Sequence, residues 1–274
     1  MTDTNPLTDT PAAPAYAIVP EESAATGFAA LGLSEPILRA VREKGYHNPT
    51  PIQAQAIPFV LMGRDVLGVA QTGTGKTAGF TLPMLDVLSG SRARARMPRS
   101  LILEPTRELA LQVADNFVEY GKYLKLTHAL IIGGESMTDQ KDLLMRGVDV
   151  LIATPGRLLD MFERGSILLN DTRVLVIDEA DRMLDMGFIP DVERIASITP
   201  RTRQTLFFSA TMPPEIRRLA VGHGRAVARR RRSDRQAGSA APSDVLRRRQ
   251  ERADLLQPQA RRRYRLPLSR PARV

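Results

Sequence analysis

Short apolar runs alternate with helical patterns along most of the chain. The runs are Asp65–Ala70, Ser100–Glu104, Thr127–Ile132, Asp149–Ala153, Val174–Asp178 and Gln204–Ser209. Between them, apolar residues recur at helical spacing; Leu109, Val113 and Phe117, for example, share one face with Tyr120. Because apolar strands separated by helices are typical of parallel sheets covered on both faces, the pattern predicts an α/β domain of that kind.

The segments outside this pattern are predicted from composition. Residues 1–26 are rich in Pro, Ala, Thr and Ser and predict a disordered leader. Order is expected to begin near Phe28, with a first helix capped by Ser34 and ending near Lys44. The Arg-containing stretch Ser91–Arg99 is interpreted as an exposed loop.

The last predicted helix, Pro214–Ala220, is followed by an Arg-rich tail, so the folded domain is placed at residues 27–220. Residues 221–274 contain 16 Arg and four acidic residues, a balance of +12, which leaves −3 for residues 1–220 out of the total of +9. Two interpretations of this tail are open. It is a disordered extension that grips nucleic acid by counterion release, or it is the product of a reading-frame shift in GC-rich DNA, which its lack of Lys, Ile and Phe favours.

Composition excludes several classes of site. The chain has no cysteine, so disulfides and thiolate metal sites are excluded, and its three histidines, His47, His128 and His223, are too scattered to predict a metal site. The N-terminus has no signal-peptide pattern, and no run of 18 apolar residues is present. We therefore expect no membrane segment and a cytoplasmic location.

A phosphate-binding loop follows the first apolar run and opens a helix. Its residues are Ala70, Gln71, Thr72, Gly73, Thr74, Gly75, Lys76 and Thr77. Small residues let backbone N–H groups converge on phosphate oxygens, while Lys76 would reach the β- and γ-phosphates and Thr77 would hold Mg²⁺. Ala70 replaces the first Gly of the strict motif, and the alternative is a Gly-rich turn before a helix.

Carboxylates end the apolar run that begins at Val174. At the carboxyl edge of a parallel sheet, Asp178 and Glu179 would lie beside the phosphate-binding loop. Asp178 suits a Mg²⁺ ligand acting through water, and Glu179 suits a base that orients an attacking water. The alternative is an acidic helix start that is favourable for the helix dipole alone.

These motifs, in their order, resemble the DEAD-box family of RNA helicases over residues 28–220. The family's name is carried by Asp-Glu-Ala-Asp at 178–181. The flanking matches are a Q motif within 28–53, Pro-Thr-Arg-Glu-Leu-Ala at 105–110, Gly-Gly at 133–134, Thr-Pro-Gly-Arg at 154–157 and Ser-Ala-Thr at 209–211. The resemblance implies a RecA-like fold.

The resemblance also implies roles for individual residues. Gln53 would bond the adenine edge and so select ATP, and Phe28 would pack on the adenine unless it is simply a core aromatic. Thr106, Arg107, Gly134, Thr154, Gly156 and Arg157 would contact the RNA backbone without sequence specificity. Asp181, Ser209 and Thr211 would couple the nucleotide site to domain closure.

The implied function is that of the ATP-binding domain of an RNA helicase, with ATP and Mg²⁺ as cofactors and RNA as the partner. A second RecA-like domain is expected to be absent after residue 220, so turnover and unwinding by this chain alone are expected to be weak. One alternative is a module that binds ATP and RNA with little turnover. Another is a general P-loop ATPase acting on protein or DNA, against which the Q motif and the motif order argue.

Overall fold

The computed structural model describes residues 26–90, 93 and 95–223. Within these residues six strands form one parallel sheet, in the order β1-β6-β5-β2-β4-β3. The strands are β1 Val66–Val69, β2 Ser100–Leu103, β3 His128–Ile131, β4 Val150–Ala153, β5 Val174–Ile177 and β6 Gln204–Ser209. The α/β prediction is confirmed, and each strand lies within the apolar run that predicted it.

Helices connect the strands and cover both faces of the sheet. They are α1 Glu35–Glu43, α2 Pro51–Leu61, α3 Lys76–Leu88, α4 Arg107–Gly121, α5 Met137–Arg146, α6 Pro155–Glu163, α7 Ala180–Asp185, α8 Ile189–Ile198 and α9 Pro214–His223, after a 3₁₀ turn at Gly27–Leu31. Helices α1 to α4 pack on one face, and α5 to α9 pack on the other. The predicted leader 1–26, apart from Thr26, and the tail from residue 224 lie outside the described residues.

Side chains along each strand alternate between two hydrophobic cores. In β5, Val174 and Val176 enter the core beneath α1 to α4, whereas Leu175 and Ile177 enter the opposite core. All four are buried, because both faces of the sheet are covered and a side-chain period of two sends neighbours to opposite faces. Each such side chain contributes about 1.5–3 kcal/mol by leaving water.

Two sequence predictions need correction here. The stretch Ser91–Arg99 is not exposed throughout, since Arg99 is only 1% exposed and its Nε donates to Asp149 Oδ1 at 3.0 Å. The guanidinium also donates to the Leu88 carbonyl at 2.9 Å, so a buried ion pair fastens this segment to the sheet. The last helix includes His223, three residues beyond its predicted end at Ala220.

No helix in the described part of the chain combines the length and apolar character needed to cross a membrane. Ser34 precedes α1 as its N-cap residue, as predicted, although the Ser34 side chain forms no capping hydrogen bond. Its backbone N–H donates instead to Asp86 Oδ2 at 2.9 Å, which ties the start of α1 to α3.

Candidate functional site

The predicted site residues lie along the carboxyl edge of the sheet. The phosphate-binding loop follows β1, the acidic motif follows β5 and Ser-Ala-Thr overlaps the end of β6. The other three motifs follow β2, β3 and β4. Since the strand order is β1-β6-β5-β2-β4-β3, the predicted ATP residues occupy one half of the edge and the predicted RNA residues occupy the other.

A cleft of about 480 Å³ lies in the first half. Its lining includes Phe28, Gln53, Thr72, Gly73, Gly75, Lys76, Thr77, Asp178 and Glu179. The structure therefore brings most of the predicted nucleotide residues to one cavity. Phe28 lines this cleft, but it is only 4% exposed and also belongs to a hydrophobic core. Its position is therefore compatible with packing on the adenine and with a role as a core aromatic.

Gln53 binds the phosphate-binding loop through a hydrogen bond to its backbone. Its Nε2 donates to the Gly75 carbonyl at 3.1 Å, and its Oε1 accepts from the Thr50 N–H at 2.9 Å. Gly75 has φ of +90°, and an added Cβ would lie 2.4 Å from Gln53 Nε2, so glycine is required there on both grounds. An amide carries two protons and two lone pairs, which leaves Gln53 one donor and one acceptor beyond these two bonds.

Lys76 is paired with the predicted catalytic glutamate. Its Nζ lies 2.7 Å from Glu179 Oε1, and the two side chains are 4% and 11% exposed. The contact lacks hydrogen-bond geometry, and the ammonium has no hydrogen-bond partner among the described residues. The Thr72 hydroxyl donates to the same carboxylate at 3.2 and 3.3 Å. A phosphate group entering this loop would therefore compete with Glu179 for Lys76.

The backbone of Glu179 is left-handed, with φ of 49° and ψ of 46°. This conformation is uncommon for a residue other than glycine and costs on the order of 1–3 kcal/mol. The Glu179 N–H donates to Asp178 Oδ1 at 2.9 Å, which supports the turn. The strained turn lies between β5 and α7, where it directs the carboxylate toward the phosphate-binding loop.

The cleft contains more buried negative than positive charge. Burial, reinforced by Glu179, raises the pKa of Asp178 to about 7, despite the opposing effect of Lys76. Burial also raises the pKa of Glu104 well above its ordinary value, with further contributions from Asp178 and Glu179. A divalent cation in the cleft would favour the charged form of Asp178 and Glu104, since an opposite charge lowers a carboxyl pKa.

Glu104 is a cleft residue that the sequence analysis did not select. It is 1% exposed, and its Oε1 has no hydrogen-bond partner in the described part of the chain. An unsatisfied buried acceptor costs about 1–3 kcal/mol. Its position supplied a usable signal, because an acidic residue directly after a buried strand repeats the pattern of Asp178. Asn48, Gln112, Asn116 and Tyr120 also line the cleft and had no such signal.

Asp181 connects the acidic motif to Ser-Ala-Thr. Its backbone N–H donates to Ser209 Oγ at 3.1 Å, and its Oδ2 accepts from the N–H and hydroxyl of Thr211 at 2.9 and 3.1 Å. Partial burial tends to raise the pKa of Asp181, but these hydrogen bonds outweigh burial and lower it. The three predicted coupling residues thus form one charged network between β5 and β6.

The six predicted RNA residues lie in the second half of the edge. Thr106 and Thr154 precede the first residues of α4 and α6, so two helix N-termini open on the same side. The Arg157 Nη2 donates to the Glu135 carbonyl at 3.0 Å, and Arg107 lies 3.9 Å from the Glu135 carboxylate. Glu135 therefore joins the two arginines, and the sequence analysis missed it.

Gly134 permits the close approach of Arg107. It has φ of +82°, and an added Cβ would lie 2.5 Å from Arg107 Nη1. Gly134 and Gly156 are both exposed. Two exposed glycines, two helix N-termini and the half-exposed Arg107 guanidinium form a surface suited to phosphate oxygens. The Arg157 guanidinium is held in place by Gln140 and Asp160 as well as by Glu135.

The fold and the loop define a P-loop domain, and comparison with known proteins gives its family. The family model described as DEAD/DEAH box helicase matches residues 50–219. The chain therefore belongs to the DEAD/DEAH box helicase family, as the sequence motifs predict.

Individual relatives agree with this assignment. The chain is 51% identical over 203 residues to the ATP-dependent RNA helicase DeaD of Mycobacterium tuberculosis strain H37Rv, covering 74% of this chain and 35% of the relative. It is 49% identical over 195 residues to the Escherichia coli K12 protein of the same name, covering 71% and 30%. The chain thus matches about a third of the length of these relatives.

Solved structures show the same fold. A DEAD box protein from the hyperthermophile Methanococcus jannaschii aligns with a TM-score of 0.67 at 39% identity, covering 73% of this chain and 54% of that one. A hypothetical ATP-dependent RNA helicase from Sulfolobus tokodaii aligns with a TM-score of 0.64 at 39% identity, covering 70% and 55%. The fold is therefore the RecA-like domain of this family.

Proposed function

We propose that this domain binds ATP with Mg²⁺ in the cleft and hydrolyses the ATP. We propose further that hydrolysis is coupled to the binding of RNA at the neighbouring half of the sheet edge. The observation that supports the proposal is the arrangement of that edge, in which the predicted nucleotide residues and the predicted RNA residues follow neighbouring strands. The Asp181 network lies within the nucleotide half, so a change at the γ-phosphate can alter contacts between β5 and β6. Since ATP and RNA are both present in the cytoplasm, we propose that location.

Lys76 and the loop N–H groups would bind the phosphates, and Thr77 with Asp178 would hold Mg²⁺ partly through water. The residues present fit such an ion, because buried carboxylates outnumber the lysine and the Thr77 side chain lines the same cleft. When bound, the ion neutralises the negative charge of the phosphates. Glu179, freed from Lys76, would orient the water that attacks the γ-phosphate.

RNA-stimulated ATP hydrolysis tests the proposal as a whole. We expect the hydrolysis rate to increase when single-stranded RNA of any sequence is added, since the contacts are to the backbone. A general P-loop ATPase would respond to protein or DNA instead. A rate that RNA leaves unchanged would contradict coupling between the two halves of the edge.

Gln53→Ala is expected to weaken ATP binding more than GTP binding. The free donor and acceptor of Gln53 match the adenine edge, and losing such a pair costs about 10-fold in affinity. The affinity for both nucleotides should also fall by a smaller factor, because the Gly75 carbonyl loses its hydrogen bond from Gln53. Competition titrations against a fluorescent ATP analogue measure the two effects.

Gln55→Ala is a matched control, since Gln55 is an exposed residue of the same helix. It should change neither affinity. If GTP competes as strongly as ATP against the wild-type protein, the role assigned to Gln53 is wrong.

Arg107→Ala is expected to weaken binding to every RNA sequence by a similar factor. A phosphate-contacting arginine contributes to counterion release, so the slope of log affinity against log salt should fall by about 1. Arg201→Ala is the control, because Arg201 is exposed and precedes β6 at the opposite edge of the sheet. A loss confined to one RNA sequence would contradict the backbone contact.

A further inference from the structure

Glu104 and Asp178 leave adjacent strands side by side. Strands β2 and β5 pair with Leu103 opposite Ile177, so the next residue of each strand is a carboxylate. The Asp178 N–H donates to the Leu103 carbonyl at 3.2 Å, which continues the pairing to the end of both strands. Both side chains are buried, at 1% and 4% exposure, and both line the cleft.

The unsatisfied Oε1 of Glu104 needs a hydrogen-bond donor that the described residues do not provide. The cleft is the place from which one can come, because Glu104 contributes to its lining. Phosphate oxygens are acceptors and would repel the carboxylate. The donor must therefore be a hydroxyl or a water molecule, and a water molecule bound to a cation suits a cleft that also contains Asp178 and Glu179.

A hydrated Mg²⁺ ion meets these requirements. Within the described residues, no three His, Asp or Glu side chains are close enough to bind an ion directly. An ion bound here would therefore have few direct protein ligands, and Mg²⁺ keeps several of its water ligands when it is bound beside phosphates. Water bound to the ion is polarised, which makes it a stronger donor than a ribose hydroxyl.

We propose that Glu104 is a positioning residue that accepts a hydrogen bond from the water shell of the Mg²⁺ ion bound with the nucleotide. It supplements Thr77 and Asp178, and it orients the waters rather than reacting with ATP. The inference rests on the proposed function, because it requires that a nucleotide bind in this cleft with Mg²⁺.

The test is the Mg²⁺ affinity of the complex with ADP. A fluorescent ADP analogue is bound to the protein in excess chelator, and its signal is followed as free Mg²⁺ is increased. Glu104→Gln keeps the size of the side chain and removes its charge. Because loss of an outer ligand partner typically weakens a metal site 10- to 100-fold, we expect Mg²⁺ affinity to fall about 10-fold.

Two further measurements separate this role from a structural one. The affinity for the analogue without Mg²⁺ should be unchanged, and the melting temperature without Mg²⁺ should be unchanged or higher, since a buried carboxylate has been removed. Asp142→Asn is the control, because Asp142 is exposed in α5 and lies outside the cleft. It should leave all three quantities as they are.

Equal Mg²⁺ affinity for Glu104→Gln and wild type would overturn the inference. So would a loss of Mg²⁺ affinity accompanied by weaker metal-free binding or a lower melting temperature, because both indicate a structural role. If the wild-type protein binds no ADP analogue with or without Mg²⁺, the proposed function itself fails. That result is distinct, since it appears before any variant is compared.

Discussion

Lys76→Ala is expected to weaken ATP binding by about 100-fold. A buried ammonium that bonds phosphate oxygens contributes about 1.5–3 kcal/mol through charge-assisted hydrogen bonds. The substitution also leaves Glu179 without its ion-pair partner at 2.7 Å, so a negative charge would face the entering phosphates. Titration with a fluorescent ATP analogue measures the loss.

The interaction with Glu179 makes this prediction specific to the structure. If the unpaired carboxylate contributes to the loss, the double variant Lys76→Ala with Glu179→Gln should bind ATP more tightly than Lys76→Ala alone. Two contacting residues are expected to be non-additive in such a cycle. Lys125→Ala is the control, since Lys125 is exposed. Unchanged affinity in Lys76→Ala would refute the assignment of the phosphate site.

Glu179→Gln is expected to reduce ATP hydrolysis by about 10²–10⁴ while ATP binding is kept. The amide can still accept a hydrogen bond, but it cannot take a proton from the attacking water. Binding should be equal or tighter, because the variant no longer holds Lys76 in an ion pair. Phosphate release in the presence of RNA measures hydrolysis, and analogue titration measures binding.

The exposed Glu215, in the first turn of α9, provides the control. Glu215→Gln should hydrolyse ATP at the wild-type rate. The same experiment separates the enzyme from a module that only binds, since a wild-type rate equal to that of Glu179→Gln would mean that ATP is bound without turnover. Weaker ATP binding in Glu179→Gln would show that the Lys76 pair does not compete with phosphate.

Most of the fold could be predicted from local pattern. All six strands lie within the predicted apolar runs, because β2, β4, β5 and β6 are buried throughout and the edge strands β1 and β3 are partly buried. The helical conformation of residues 221–223 was missed, since the apolar pattern that predicted α9 stops at Ala220. Arg99 was misplaced for a different reason. Its burial depends on Asp149, which lies 50 residues away in the sequence. The composition of a loop does not indicate such a partner.

Some features of the candidate site could also be predicted from the sequence, and others could not. The phosphate-binding loop and the acidic motif could be recognised because each chemistry requires fixed residue types at short spacing. The Gln53 support of Gly75 and the Glu135 bridge between two arginines could not be recognised, because they join residues that are distant in sequence. Glu104 stood at a strand end like Asp178, but only its missing partner distinguishes it from an ordinary buried acid.

The sequence by itself determined the strands, the positions of the motifs and the family, since these depend on periodicity and on contiguous motifs. Tertiary structure decided which motifs become neighbours. The strand order brings Thr72 and Glu179, 107 residues apart, into hydrogen-bond contact, and it places Glu104 beside Asp178. Strand order follows from the packing of helices on both faces of the sheet, a global property that no single segment encodes.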